Sequence, residues 1–298
     1  MELKNLETLI EISLSKPKKS IAVAASEDEQ VLLALKQATE KGIVTPILVG
    51  NKERTEKLAQ EISFDISKYE FIEEKEPSKS ARIAVSVVRE GRAQIIMKGL
   101  VNTADYLRAI LDKERGLRSG NLLSHIGIFE IPNYHKLIGL TDAAQNIAPT
   151  LEEKVWIIQN SVDLLRRLGI QTPKIALLAA VENVNPKMQA TFDAALITMM
   201  NKRKQIKNCV IDGPLAFDNA ISKEAAVHKG IDSPVAGDTD LLVAPEIETA
   251  NALYKSFTYF AKGVVAAIIL GAAVPIVLTS RADSEKSKLY SIALAASF

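Results

Sequence analysis

Two short stretches of the chain combine the residue types that hold an oxyanion. The first is Lys98-Gly99-Leu100-Val101-Asn102-Thr103-Ala104-Asp105, with Arg108 within the following two turns. A strand-like run ends there at a lysine and a glycine, and Asn102 or Thr103 is placed to cap a helix. Free backbone N–H groups, the positive end of a helix dipole and a nearby ammonium together favour a bound anion. The plainer reading is a cap, a turn and two solvated cations, Lys98 and Arg108. The second stretch is Thr279-Ser280-Arg281-Ala282-Asp283. Ser280 could donate to an oxyanion, and Arg281 could clamp a tetrahedral phosphate through two parallel N–H bonds. Ser280 and Asp283 also have capping-box spacing, so the same residues could be a helix start with a surface arginine.

Other chemistries have weaker signatures. Asp212-Gly213-Pro214, with Asp218 close behind, reads first as a turn. Gly237-Asp238-Thr239-Asp240 offers two carboxylates in one loop, too few for a Mg²⁺ site, and no metal is expected. His125, His135 and His228 are scattered without metal-ligand spacing and read as structural. The dinucleotide-binding, P-loop and G-x-S-x-G signatures are absent. Cys209 is the single cysteine, which rules out an intramolecular disulfide and reads as core. Trp156 reads as a packing residue on a helix.

The elements that must position these residues alternate almost without a break. Strands are expected at 20–26, 45–50, 68–74 and 93–99, separated by helices at 28–42, through Leu58 and Ile62, and at 79–91. Another helix is expected at 102–114. Ser26 and Glu29 have capping-box spacing for the helix at 28–42. Continuous apolar strands between amphipathic helices imply a mostly parallel sheet flanked by helices. Residues 121–141 break the rhythm and suggest a hairpin around Pro132, Asn133 and Tyr134. The alternation then resumes: a long helix at 151–168, a strand at 174–180 and a helix opening at Asn185-Pro186. Strands follow at 209–213, 241–245, 266–270 and 275–279, with helices near 216–229 and 248–262 and a last amphipathic segment from Ser284. The apolar run 263–278 is shorter than the ~20 residues of a spanning helix and contains Gly271 and Pro275, so it reads as two strands and a tight turn.

At 298 residues the chain suggests about two domains. The expected division is 1–134 plus 283–298 for the first α/β domain and 135–282 for the second. Lys plus Arg (37) nearly cancel Asp plus Glu (36), so no global field points to nucleic acid or to a membrane surface. With a charged, amphipathic N-terminal segment, this gives a cytoplasmic expectation.

Several stretches resemble the phosphate acetyl/butyryltransferase family, and more closely its butyryltransferase branch. They are MKGLVNTADYLRAIL (97–111), TDAAQNIAPTLEEK (141–154), AAVENVNPKMQAT (179–191) and DGPLAFDNAIS (212–222). PVAGDTDLLVAPEIETANALYKS (234–256) and PIVLTSRADSEKSKLYSIALA (275–295) complete the set. The resemblance implies an α/β fold of two domains like that of isocitrate and isopropylmalate dehydrogenases, with the active site in the cleft between them. It implies reversible transfer of a short acyl group, butyryl in this branch, between coenzyme A and inorganic phosphate, giving acyl phosphate. Coenzyme A is then a co-substrate and no cofactor is permanently bound. A homo-oligomer is implied, a dimer or a multiple of dimers. The family's serine and arginine map onto Ser280 and Arg281 as catalytic residues, and its T-A-D-x-x-R arginine onto Arg108. Lys98, Asn102 and Thr103 join Arg108 as phosphate- or CoA-binding candidates. The acetyltransferase aspartate proposed as base for the CoA thiol falls on Ser287, so that role does not transfer, and Asp283 is only a candidate base.

A thiol of pKa ~8.5 is already a few per cent thiolate near neutrality, so correcting its protonation gains only about thirtyfold. A preorganised oxyanion donor is worth about 100- to 1000-fold. Ser280 and Arg281 are therefore expected to matter more than any base. The alternatives are the same chemistry on acetyl-CoA and a non-catalytic CoA- or phosphate-binding protein. A decarboxylating dehydrogenase would need a magnesium-binding aspartate cluster and a nicotinamide site, and neither is seen.

Overall fold

The structure is a computed structural model that describes residues 3–120, 122–278 and 283–298. Its first elements are α1 (Glu7–Leu14), β1 (Lys19–Ala24), α2 (Glu29–Glu40), β2 (Val44–Gly50), α3 (Lys52–Glu61), β3 (Glu70–Glu73), α4 (Pro77–Arg89), β4 (Ile95–Lys98) and α5 (Thr103–Ile110). Then come β5 (Ser124–Glu130), β6 (Ile138–Thr141), α6 (Leu151–Arg167), β7 (Lys174–Leu178), α7 (Gln189–Lys202), β8 (Val210–Leu215), α8 (Phe217–Ile221) and α9 (Lys223–His228). The last are β9 (Leu241–Val243), α10 (Ile247–Lys255), β10 (Val264–Leu270), β11 (Ile276–Val277) and α11 (Glu285–Ser297).

The chain divides into two compact units, Glu7–Asn121 with Ala266–Phe298, and Met1–Leu6 with Leu122–Val265. These divisions differ from the 134/135 and 282/283 boundaries expected from sequence. The hairpin β5–β6, with Ile126 opposite Thr141, belongs whole to the second unit. Residues from Ala266 onward belong to the first, because β11 lies along β4 and α11 packs on α1 and α2.

In the first unit the strand order is β3-β2-β1-β4-β11-β10, all parallel except the short antiparallel pair of β10 with β11. Ile21, Val23, Ile95 and Ile96 are fully buried, as expected for a strand covered on both faces. In the second unit β6, β9, β7 and β8 run parallel, with β5 antiparallel at β6.

Several local expectations shift. Helix α2 is capped by Asp28, whose carboxylate accepts from the Val31 amide at 3.1 Å. Ser26 is instead buried beside the Thr55 hydroxyl, at 3.2 Å. The helix expected to reach residue 114 ends at Ile110, and Asp112 then accepts the Glu114 and Arg115 amides. Asn185 folds into a turn onto the Lys187 amide, so α7 begins at Gln189. The helical stretch near 216–229 breaks at Ser222, which caps α9. Trp156 is 40 % exposed and lies on the outer face of α6.

Candidate active site

Strands β1, β4 and β11 lie side by side, with Ala24 opposite Lys98 and Val277 opposite Met97. Strands β4 and β11, far apart in sequence, therefore end side by side. β2 and β3 lie on one side of β1 and β4 on the other, which makes this a topological switch point. Open α/β sheets bind ligands beyond the carboxyl ends of strands at such points.

The turn after β4 is held against the end of β1. The Gly99 and Leu100 amides donate to the Ala24 and Ala25 carbonyls at 2.8 and 2.7 Å. A Cβ on Gly99 would stand 2.1 Å from the Ala25 oxygen, so only glycine lets the two backbones approach this closely. Asn102 is the cap of α5 and accepts from the Ala104 amide at 2.8 Å. Thr103 is then the first helical residue, and both side chains are exposed. Lys98 is half-buried, and its ammonium donates to the Gly99 carbonyl at 3.3 Å.

Arg108 belongs to a different surface. It pairs with Asp105 at 2.5 Å and lines a cavity of about 480 Å³ between α4 and α5. Arg82, Arg115, Asp112 and Ser86 share that lining, whereas Lys98, Asn102 and Thr103 do not. The four binding candidates thus separate into a strand-end set and a cavity residue. Arg82 and Arg115 had no sequence signal, because only the packing of α4 on α5 brings them beside Arg108.

Ser280 and Arg281 lie outside the described residues. On their C-terminal side, Asp283 is half-buried and its carbonyl accepts from the Lys288 ammonium at 2.5 Å. Helix α11 is capped by Ser284, which accepts from the Ser287 amide at 3.1 Å, so the expected Ser280–Asp283 cap gives way to one further on. Ser287, at the acetyltransferase aspartate's position, is buried and takes a hydroxyl hydrogen bond from Ser284 at 3.0 Å.

In the second unit the motif residues are committed to one another. Asp142 gathers the amides of Ala144 and Gln145 on one oxygen, and the His125 amide and Asn146 side chain on the other. The Asn219 side-chain amide donates to Glu182, which Lys229 also holds at 2.8 Å. Asp238 and Asp240 both accept from Lys136, at 2.7 and 2.8 Å, and Lys174 reaches Asp238 as well. Burial alone would raise the Asp238 pKa, but the hydrogen bonds and charges of Lys136 and Lys174 outweigh it and lower it to about 2. Among the described residues, no group of three or more His, Cys, Asp or Glu could hold a metal ion. Cys209 is buried, and burial raises its thiol pKa to about 11.

Parallel strand ends with a lysine, a glycine and a helix cap thus meet at the switch point of an α/β fold. The family model "Phosphate acetyl/butaryl transferase" matches residues 6–83 and 72–296, and the chain belongs to that family. It is 48 % identical to a phosphate butyryltransferase of Clostridium beijerinckii, over 98 % of this chain and 97 % of that one. It is 43 % identical to a phosphate acetyltransferase of Thermotoga maritima, over 98 % and 99 % of the two chains. Among solved structures, a branched-chain phosphotransacylase from Enterococcus faecalis V583 superposes with a TM-score of 0.82 at 35 % identity, covering 94 % of this chain and 98 % of that one. A 4-hydroxythreonine-4-phosphate dehydrogenase from Burkholderia phymatum shares the fold alone, with a TM-score of 0.55 at 14 % identity, covering 95 % and 98 %.

Proposed function

We propose that the protein moves a butyryl or similar short acyl group between coenzyme A and inorganic phosphate. The observation that supports this reading is the pairing of β4 with β11, which sets the Lys98 turn beside the end of β11. A phosphate oxygen attacks the thioester carbonyl carbon, the C–O bond forms and the C–S bond breaks. Acyl phosphate is released, and the proton lost by phosphate ends on the CoA sulfur. In this reading Arg281 and Ser280 stabilise the tetrahedral oxyanion and orient the phosphate. Lys98 and the helix start at Asn102-Thr103 add positive potential, and Arg108 serves the phosphates of coenzyme A. Asp283 stays a minor candidate for the thiol's base, since a thiol needs little help to ionise. The reaction calls for no metal and no resident cofactor.

We place the protein in the cytoplasm as a homo-oligomer. Among the described residues no helix is long and apolar enough to cross a membrane. On α7, Phe192, Leu196 and Met199 are 42, 37 and 49 % exposed at helical spacing, an apolar stripe suited to pairing through the second unit. Leu196→Glu should give the smaller species by light scattering.

The deciding assay is CoA release from butyryl-CoA, read with a thiol reagent, with and without phosphate. Phosphate-dependent release fastest with butyryl-CoA supports the reading. Faster release from acetyl-CoA would favour the second reading, which the 43 % identity to an acetyltransferase keeps in play. No phosphate-dependent release from any acyl-CoA would leave a binding protein.

A further inference from the structure

The carboxyl ends of β7 and β9 border a half-open crevice that the reading above does not use. The two strands run parallel, with Leu177 opposite Val243, and Leu178 and Val243 at their ends line the crevice. Helix α7 lies along it with Ala190, Ala194 and Ile197. Open α/β sheets take their ligands at this edge of the strands. The space left for the centre of a water-sized group is about 10 Å³, enough for about one such group. Lys154 and Asp193 are the charged residues of the lining, and they meet each other at 2.6 Å. The other Asp193 oxygen accepts from the Gln189 side-chain amide at 2.7 Å. A guest therefore meets a carboxylate engaged at both oxygens, and otherwise apolar walls. Ile147, 69 % exposed, adds an apolar surface nearby. Its carbonyl accepts from the Ile247 amide at 2.9 Å, two residues beyond Pro245 of the lining.

We propose that this crevice receives the alkyl end of the acyl group, and that Ala190, Ala194 and Ile197 set the chain length that fits. This rests on the transferase reading and names the residues that choose its acyl substrate. Size and polarity select the occupant. An anion would be brought against Asp193 and away from water, which is costly. An aromatic ring is too large for a space of about one water-sized group. The end of a short alkyl chain is narrow and uncharged, and a methyl group is of the size the crevice admits. Ala190 and Ala194 are four residues apart and so lie on one face of α7. Their small side chains leave the space, and Ile197 bounds it. Ala194 and Ile197 are 2 and 1 % exposed, so neither side chain can turn outward to make more room. A butyryl group places its last carbon in the crevice. An acetyl group ends short of it, and a longer chain finds no place for its extra carbons.

The test changes the room in both directions and reads chain-length preference. Phosphate-dependent CoA release is measured from acetyl-, butyryl- and valeryl-CoA for the wild type, Ala194→Val, Ala190→Leu and Ile197→Val, with melting temperatures beside the rates. One methylene in an apolar pocket is worth about 10- to 200-fold in kcat/KM. Ala194→Val and Ala190→Leu fill the crevice and should lower kcat/KM for butyryl-CoA by about that factor. The same variants should keep acetyl-CoA within about threefold and the KM for phosphate within about twofold. Ile197→Val enlarges the crevice by one methyl-sized step and should raise valeryl-CoA relative to butyryl-CoA about tenfold or more. If the buried Ala194→Val does not fold, Ala190→Leu at its half-buried position and Ile197→Val decide the matter. The proposal is overturned if the filling variants lower acetyl- and butyryl-CoA alike or leave their ratio unmoved. It is equally overturned if Ile197→Val leaves the valeryl-to-butyryl ratio unmoved. These results come from an enzyme that still needs phosphate, so they leave the transferase reading standing. Wild-type protein that releases CoA from no acyl-CoA in response to phosphate would sink that reading, and this proposal with it.

Discussion

One set of lysines in each unit stands in different surroundings. In the second unit Lys136, Lys154, Lys174 and Lys229 are each held by carboxylates, at 2.5–2.8 Å for the shortest contact of each. In the first unit Lys98 and Lys288 donate to backbone carbonyls at strand and helix ends. Arg82 and Arg115 line the cavity beside Arg108, which pairs with Asp105. A carboxylate-locked lysine holds two elements together and has little left to offer a ligand. The carboxylate-held set joins elements of the second unit, and in the proposed reading the first unit's cations serve anions.

The largest expected effect is on rate. Arg281→Ala should lower turnover with butyryl-CoA about 100- to 1000-fold, with melting temperature nearly unchanged. The comparison breaks if turnover stays within about threefold while Asp283→Ala abolishes it. Next comes stability in the second unit. Lys154→Ala leaves Asp193 buried without its cation and should cost about 3 kcal/mol in urea unfolding, with no dependence on phosphate. A loss under ~1 kcal/mol would mean that even an enclosed ion pair there is idle.

A smaller effect should appear in acid. Asp238 has a folded-state pKa of about 2 against an ordinary 3.8. Its stabilisation is therefore present above about pH 4 and lost as pH falls through about 2. Its side chain is 45 % exposed, so solvent screening reduces the effect to about 1 kcal/mol. The wild type minus Asp238→Asn difference in unfolding free energy should shrink over that window and be flat above it. Smallest is the pair Arg82→Ala and Arg115→Ala, each within about 0.5 kcal/mol of wild-type stability. Each should raise the KM for butyryl-CoA a fewfold, and a rise in phosphate KM instead would assign the cavity to inorganic phosphate.

The alternation of apolar runs made the sheet, its helices and both hairpin turns legible before any coordinates. The end of a strand at Lys98 and the helix cap at Asn102 were legible too. What the chain did not disclose was which ends become neighbours. The β4–β11 pairing joins residues separated by the entire second unit, and no local pattern encodes it. Caps misled where several candidates crowd together: Asp28 wins over Ser26 because Ser26 is drawn inward to Thr55. Arg82 and Arg115 carry no local signal, and only packing separates a solvated cation from a confined one.

Strands β10 and β11 and helix α11 complete a unit whose other strands are all made before residue 122. During synthesis that unit has to wait, with the place beside β4 vacant, until the whole of Leu122–Val265 has emerged from the ribosome. The stretch translated later is thus the one able to close first, and the ends of β4 and β11 come together only after it.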